Sequence, residues 1–166
     1  MFREMRRKGQ ALPDDVCKEI LEKAPHGVLA VSGDGGWPYA VPLSFVYSAG
    51  TVYFHCACEG HKLDAVRRDA RASFCVVDSD EVVAEEYTTY YRSVIAFGRV
   101  RELAGAEEKT AALRLLAGKY APESTEERFM QSVERSLART AVLALEIEQL
   151  SGKEGLELSK RRRGGE

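Results

Sequence analysis

The side chains best suited to chemistry lie in the stretch 53–62, which reads Tyr-Phe-His-Cys-Ala-Cys-Glu-Gly-His-Lys. Residues 51–54 are β-branched or aromatic and predict a strand. Gly60 then indicates a turn, and apolar residues beyond it recur at helical spacing. His61 and Lys62 therefore fall in the first turn of a predicted helix.

This placement predicts an anion site. The first backbone N–H groups of a helix have no partner within the helix, and the helix dipole adds partial positive charge there. Acidic side chains would normally be favoured at that point, yet the sequence places His61 and Lys62 there. A phosphate group is the natural counterpart of such a field. The alternative is that Lys62 points into solvent and His61 caps the turn, and the residues alone leave both open.

A metal site is the rival interpretation of the same stretch. His55, Cys56, Cys58 and His61 offer soft ligands close together. On a strand, however, Cys56 and Cys58 would face one side and His55 the other. Structural zinc sites also usually leave at least two residues between paired cysteines. We therefore expect no metal site, and we expect most of the cysteines to be small buried apolar residues.

Composition narrows the class of protein. The chain has 166 residues, of which 45% are hydrophobic and 30% charged, which is typical of a globular protein. Its 24 Lys and Arg nearly balance 26 Asp and Glu, so a general nucleic-acid surface is not expected. No apolar run is long enough to span a bilayer, and no signal peptide is apparent. We expect a single cytoplasmic domain over residues 1–166, with 1–11 and 153–166 at its periphery.

The pattern along the chain predicts a mainly β fold. Pro38 and Pro42 cannot donate to a ladder and predict an edge strand or a bulge. Gly98 predicts a bulge or a close approach of another part of the chain. Trp37 and Tyr39 either pack this hairpin, as aromatic residues commonly do, or stack on an aromatic ligand. Short strands joined by Gly-rich turns favour an antiparallel β-barrel with a few helices at its ends, and the lack of βα alternation argues against a Rossmann sheet. The predicted strands cover residues 27–32, 37–47, 51–57, 72–77, 90–103 and 140–150. The predicted helices cover residues 14–24, 61–70, 106–120 and 124–137, and a loop is predicted at 78–89.

The sequence resembles a known superfamily over the run 27–77. The shared features are Pro-Tyr-Ala-Val-Pro-Leu at 38–43, Val-Tyr-Phe-His at 52–55 and Glu-Gly-His-Lys at 59–62, with a second region at 91–100. Their order and spacing are similar to the flavin-binding split barrels of the pyridoxamine 5′-phosphate oxidase superfamily, and most closely to its 5-nitroimidazole resistance branch. The resemblance implies an antiparallel Greek-key split barrel.

The same resemblance implies a homodimer that holds FMN between its subunits. Main-chain groups of one segment would lie along the flavin ring, a second segment would lie near the ribityl chain and the phosphate, and a third would clamp the phosphate. Two residues of the fifth strand would reach the cofactor, from the partner subunit. The residues along the flavin ring would be Val41, Pro42 and Leu43, and those near the ribityl chain and the phosphate would be His55, Cys56 and Ala57. His61 and Lys62 would clamp the phosphate. Ser93 and Val94 would be the two residues of the fifth strand.

The implied activity is reduction of a small nitroaromatic or related acceptor by an FMN-dependent oxidoreductase. Because the chemistry belongs to the flavin, no catalytic side chain is assigned. The Arg-x-His string that pyridoxamine phosphate oxidases carry near the carboxyl end is absent, so pyridoxamine phosphate is not the expected substrate. FAD, a deazaflavin or haem remain alternative cofactors, and a non-catalytic flavin- or haem-binding role remains an alternative function. The basic run 160–163 could contact nucleic acid, although such runs at chain ends are more often solvated.

Overall fold

A computed structural model describes residues 2–164 and shows one antiparallel sheet in the order β2-β1-β5-β6-β7-β4-β3. The sheet curls on itself but does not close, because the strands at its two ends, β2 and β3, do not pair. The predicted mainly β split barrel is therefore confirmed. The strands are β1 His26–Ser32, β2 Pro38–Ser44, β3 Val46–Ser48, β4 Thr51–Ala57, β5 Arg71–Val83, β6 Thr88–Glu102 and β7 Thr140–Glu154.

Residues 2–164 form five α-helices around the sheet: α1 Asp14–Lys23, α2 His61–Arg68, α3 Ala106–Tyr120, α4 Glu126–Ser136 and α5 Leu156–Gly164. The first four match the predicted helices closely. Thr125 caps α4, because its hydroxyl accepts the Arg128 N–H at 3.3 Å. In the described part of the chain, no helix has both the length and the apolar character needed to cross a membrane.

The main core fills the concave face of the sheet. Phe74 packs edge-on against Phe45 and Phe54, with ring centroids 4.8 Å and 5.0 Å apart. Helix α1 adds buried Ile20 and Leu21 to this core. Burial of such side chains is the main source of stability, at about 1.5–3 kcal/mol for each.

A second, smaller core lies on the opposite face, where α3 covers β4 and β7. It consists of Leu103, Ala112, Val142 and Ala144. Because β7 is covered on both faces there, the residues from Ala141 to Leu145 are all fully buried. An alternation of exposed and partly buried residues therefore begins only at Glu146.

Strand β2 is an edge strand, as its prolines predicted. At its end the buried Phe45 turns the chain into β3. The Tyr120 hydroxyl fixes this corner by accepting the Phe45 N–H at 2.8 Å. Lys119 donates to the Ala24 carbonyl at 2.6 Å and lies 4.1 Å from the centre of the Phe45 ring. The end of α3 thus holds the corner where the barrel is split.

The prediction of a loop at 78–89 is wrong. Strands β5 and β6 continue outward as a paired hairpin, from Ser79 opposite Arg92 to Val83 opposite Thr88. A register shift after Val77 carries the ladder past the barrel. Acidic side chains are tolerated there because both faces of the hairpin are largely solvated. Composition alone could not distinguish such a hairpin from a loop.

The chain ends are also more ordered than expected. Strand β7 runs to Glu154 rather than to residue 150, and α5 follows it. The N-terminal segment pairs with β7 through Ala11 and Lys153, and Gln10 is buried. The part of the tail up to residue 164 is therefore a packed helix, whereas residues 165–166 lie outside the described range.

The bulge at Gly98 generates a prediction. A Cβ atom there would lie 2.0 Å from the Glu146 carbonyl oxygen, on the neighbouring strand. We expect Gly98→Ala to lower the free energy of unfolding by about 1–3 kcal/mol, because backbone must move. Gly118→Ala is the matched control, since a Cβ in α3 meets nothing within 4 Å, and it should stabilise by about 0.5–1 kcal/mol. Urea denaturation measures both changes in the free energy of unfolding. Equal effects of the two substitutions would contradict the close backbone approach at Gly98.

Candidate functional site

The first turn of α2 offers unsatisfied hydrogen-bond donors. Gly60 begins the helix at φ 119°, which disfavours other residues, and no side chain caps it. The Gly60 carbonyl accepts the N–H groups of Leu63 and Asp64 at 2.9 Å and 3.1 Å. No group among residues 2–164 accepts the backbone N–H of His61 or Lys62. These N–H groups and the helix dipole are therefore available to an anion.

His61 is held in place by the chain itself. Its ring stacks on Tyr39 of β2 with centroids 4.1 Å apart and planes 29° apart. Its Nε2 atom lies 3.7 Å from Asp34 in the β1–β2 turn, and Asp34 also pairs with Arg68 at 3.1 Å. Helix α2 is thereby docked across the split onto β2. Tyr39 thus packs against α2, whereas Trp37 is 77% exposed.

Lys62 is half-buried and makes no ion pair with a carboxylate of the described residues. Its charge acts on the end of β4: burial raises the pKa of Cys56, and the Lys62 ammonium opposes that rise. A cation without a carboxylate partner beside free backbone donors gives this corner a positive potential. Of the predicted pair, Lys62 is therefore the residue better placed to meet a phosphate.

The cysteines differ in environment. Cys17 is buried, and burial raises the pKa of its thiol to about 11. Cys58, in contrast, is exposed, so the expectation that most cysteines are buried is confirmed for Cys17 but wrong for Cys58. Among residues 2–164, no three His, Cys, Asp or Glu side chains come together in a way that could hold a metal ion.

The predicted ring-binding segment lies along the split. Val41 and Leu43 point inward and are half-buried, while Pro42 is exposed. Because β2 is an edge strand, alternate backbone groups face away from β1 and are unpaired in the sheet. Main-chain contacts of the kind expected here are therefore available without breaking the ladder.

His55 points the opposite way from Cys56, into a cavity of about 420 Å³ between β4, α3 and α4. This cavity was not anticipated, because its walls come from segments more than fifty residues apart in the sequence. Ala57 ends β4 on the exposed side. The lining residues are Ser44, His55, Leu113, Leu116, Ala117, Tyr120, Phe129, Ser132, Val133 and Ser136.

Ser93 and Val94 lie elsewhere. They belong to β6, which β1 and β5 separate from β2 in the sheet. Val94 is fully buried in the core, and Ser93 is half-buried on the opposite face. The structure therefore brings His61 of α2 against Tyr39 of β2, and the Lys62 charge close enough to act on Cys56 of β4, but it does not bring these two residues to the same corner. Their contact with a cofactor stays a prediction about a partner subunit.

Solved structures share this architecture. A protein named as a 5-nitroimidazole antibiotic resistance protein of Bacteroides thetaiotaomicron aligns with a TM-score of 0.76 at 21% identity, over 87% of this chain and 86% of that one. An FAD and haem binding protein of Mycobacterium smegmatis aligns with a TM-score of 0.72 at 24% identity, over 90% and 74%. An FAD-binding protein of Mesorhizobium loti aligns with a TM-score of 0.59 at 26% identity, over 88% and 97%.

No curated protein matches the chain. The model of the pyridoxamine 5′-phosphate oxidase family, in contrast, matches residues 13–154. This match covers most of the chain and includes β2, β4 and α2, which carry the sequence resemblance. It agrees with the split barrel and with the structural neighbours, so the chain belongs to the pyridoxamine 5′-phosphate oxidase family.

Proposed function

We propose that this protein binds FMN in the split between β2 and β4 and reduces a small nitroaromatic or related acceptor. The observation that carries the proposal is the uncapped first turn of α2, where free N–H groups and Lys62 meet. Two of the similar proteins are named for FAD binding, and another for 5-nitroimidazole resistance. These names support a flavin in this family and a nitroaromatic acceptor as the first to test.

The residues around the split fit a phosphorylated ring cofactor. The backbone N–H groups of His61 and Lys62 would hold the phosphate together with the Lys62 ammonium, and Tyr39 keeps the His61 ring in place. The free edge of β2 at Val41–Leu43 would position the ring. On β4, His55, Cys56 and Ala57 would line the path between them.

When bound, the flavin supplies the two-electron chemistry of the reaction. The chain then has to bind and orient the reactants and limit the access of water. Helix α3 contributes to this positioning, because Tyr120 holds the Phe45 corner directly after the ring-binding segment. No side chain is required as a nucleophile.

The cavity beside His55 is the proposed acceptor site. Its walls are mainly apolar, with Leu116, Phe129 and Val133 among them, and its volume suits a small ring compound. His55 of β4 and Ser44, the last residue of β2, line this cavity and could donate hydrogen bonds to polar substituents of the acceptor. The cavity therefore adjoins the segment expected to hold the flavin ring.

Removal of the Lys62 ammonium tests the cofactor site. We expect Lys62→Ala to weaken FMN binding by about 1.5–3 kcal/mol, the usual contribution of a charge-assisted hydrogen bond. Flavin fluorescence titration of the apoprotein measures the dissociation constant. Lys18→Ala is the control, because it removes an ammonium that pairs with Asp14 on α1. An unchanged dissociation constant for Lys62→Ala would remove Lys62 from the site.

Filling the cavity tests the activity. Ser132 of α4 is exposed and lines the cavity. Its neighbour Gln131 is also exposed but does not line the cavity. In Ser132→Trp the indole would occupy the cavity, so a nitroaromatic acceptor would lose its contacts with the apolar walls. We expect KM for the acceptor to rise about tenfold or more and FMN retention to stay unchanged. Gln131→Trp should behave like the wild type. Absence of NAD(P)H-dependent nitroaromatic turnover in FMN-loaded wild-type protein would instead favour a non-catalytic role.

The convex face of β1, β5 and β6 supports a homodimer. Val28, Val77, Ile95 and Phe97 are between 36% and 60% exposed there, and Phe2 packs on Phe97 with centroids 5.5 Å apart. A groove of about 450 Å³ runs beside them. Apolar surface of this kind on a sheet is typical of an interface. Ser93 lies opposite Val77 on this face, so it would lie in the same interface.

A charge on this face tests the dimer. We expect Phe97→Glu to convert a dimer into a monomer and to reduce flavin retention, because a carboxylate would be buried in the interface. Val82→Glu is the control, since Val82 is 74% exposed at the hairpin tip. Light scattering coupled to size-exclusion chromatography measures the mass. A monomeric wild type, or a dimer that survives Phe97→Glu, would contradict this interface.

Haem is the second candidate cofactor, because His55 lies in an apolar cavity of the kind that axial ligation requires. The absorption spectrum of freshly purified protein distinguishes the two. Flavin bands would support the proposal above, and a Soret band lost in His55→Ala would support haem.

A further inference from the structure

The two ends of the chain form one basic surface. Residues 2–11 and 153–164 contain nine Lys and Arg against three Glu, whereas the rest of the chain contains 15 Lys and Arg against 23 Asp and Glu. The formal net charge of the whole chain is therefore small although positive and negative residues are strongly separated along it. We call this the terminal basic surface: Arg3, Arg6, Arg7, Lys153, Lys160, Arg161 and Arg163.

Backbone contacts bring the two ends together. The Leu12 N–H donates to the Gly152 carbonyl at 3.0 Å, and Ala11 pairs with Lys153. In α5, the buried Ser159 hydroxyl donates to the Gly9 carbonyl at 2.7 Å. The N-terminal segment is thus clamped between β7 and α5.

A buried ion pair completes this clamp. Glu154 is fully buried and accepts from Arg162 at 2.7 Å, while Arg162 also donates to the Ala11 carbonyl at 3.0 Å. The Gln10 amide donates to the Glu154 backbone carbonyl at 3.0 Å. Arg162 is therefore structural, and its role explains why one arginine of the run 160–163 is needed for the fold.

Most of the other Lys and Arg side chains at the chain ends have no ion pair of this kind. Of the nine, only Lys8 and Arg162 pair with a carboxylate among residues 2–164. Two adjacent clefts share Arg7: one of about 430 Å³ adds Lys160 and Arg163, and one of about 370 Å³ adds Arg6 and Lys153. Among residues 2–164, these like charges lie close together with few carboxylates to neutralise them, which costs stability unless an anion binds.

Helix stabilisation accounts for only part of this surface. Arg161 and Arg163 lie in the last turn of α5, where cations favour the helix dipole. Arg161 also lies 4.9 Å from the centre of the Tyr90 ring, and Arg163 donates to the Gly9 carbonyl. These contacts do not involve Arg6 or Lys160.

We infer that the terminal basic surface binds the sugar-phosphate backbone of a nucleic acid. Its cations span two clefts, so several phosphates can be neutralised at once. Arginine predominates, and its planar fork suits phosphate oxygens. A membrane is the poorer partner, because α5 presents no apolar stripe: Leu156 is its one markedly exposed apolar residue among those described. The inference does not depend on the proposed cofactor.

Fluorescence anisotropy of full-length protein tests this inference. Labelled single-stranded RNA and duplex DNA of about twenty nucleotides are titrated at stepped NaCl concentrations, because each phosphate contact adds about 0.7–0.9 to the salt slope. The variant Arg6→Gln/Arg7→Gln/Lys160→Gln leaves Arg162 intact. It should weaken binding at least tenfold at low salt and reduce the slope by about 2–3. Unchanged circular dichroism shows that it is folded.

The matched control is Arg128→Gln/Arg135→Gln/Arg139→Gln, which removes the same charge from exposed arginines in and after α4. It should bind like the wild type. If both triple variants lost affinity for nucleic acid equally, the effect would come from net charge rather than from this surface, and the inference would be overturned. Absence of nucleic-acid binding at low salt would overturn it as well, as would tighter binding to phosphatidylserine vesicles than to either oligonucleotide.

Discussion

The open side of the barrel is the constraint on which the rest of the structure depends. Strand β2 cannot pair onward, because its prolines lack N–H groups and the chain turns at Phe45 into β3. An open sheet edge needs a cover. Helix α2 supplies one by stacking His61 on Tyr39 and by linking to the β1–β2 turn through Asp34. The same docking brings the uncapped start of α2 beside β2.

The outer face of the sheet is covered over β4 and β7 but, within residues 2–164, not over β5 and β6, and this difference determines the remaining surfaces. Helix α3 buries β4 and β7 on their outer face, and its end locks the Phe45 corner through Tyr120. Helix α4 packs less closely, with Val133 as its one buried residue, so a cavity remains over His55. No helix among residues 2–164 covers Ile95 and Phe97 on that face, so both side chains stay partly exposed. The sheet thus has an apolar cavity over β4, near one end, and an apolar surface on its central strands.

Charge illustrates why a sum over the sequence can mislead. A formal charge of −2 argues against a polyanion surface only if the charges are mixed. Folding instead gathers the basic ends around Arg162 and the buried Glu154, and it leaves the acidic hairpin of β5 and β6 on its own. Electrostatic recognition depends on this local arrangement rather than on the total.

The sequence by itself determined the local elements and the family. The bounds of β4 and α3, the edge position of β2, the bulge at Gly98 and the place of His61 and Lys62 in a helix start all follow from periodicity, prolines and glycines, which act over a few residues. Tertiary structure decided whatever joins distant segments: the stacking of Tyr39 on His61, the cavity between β4 and α4, the double burial of β7 and the union of the two chain ends. The hairpin at 78–89 and α5 belong with these, because their polar residues carry no periodic apolar signal and become ordered through partners such as Tyr90 and Gly9.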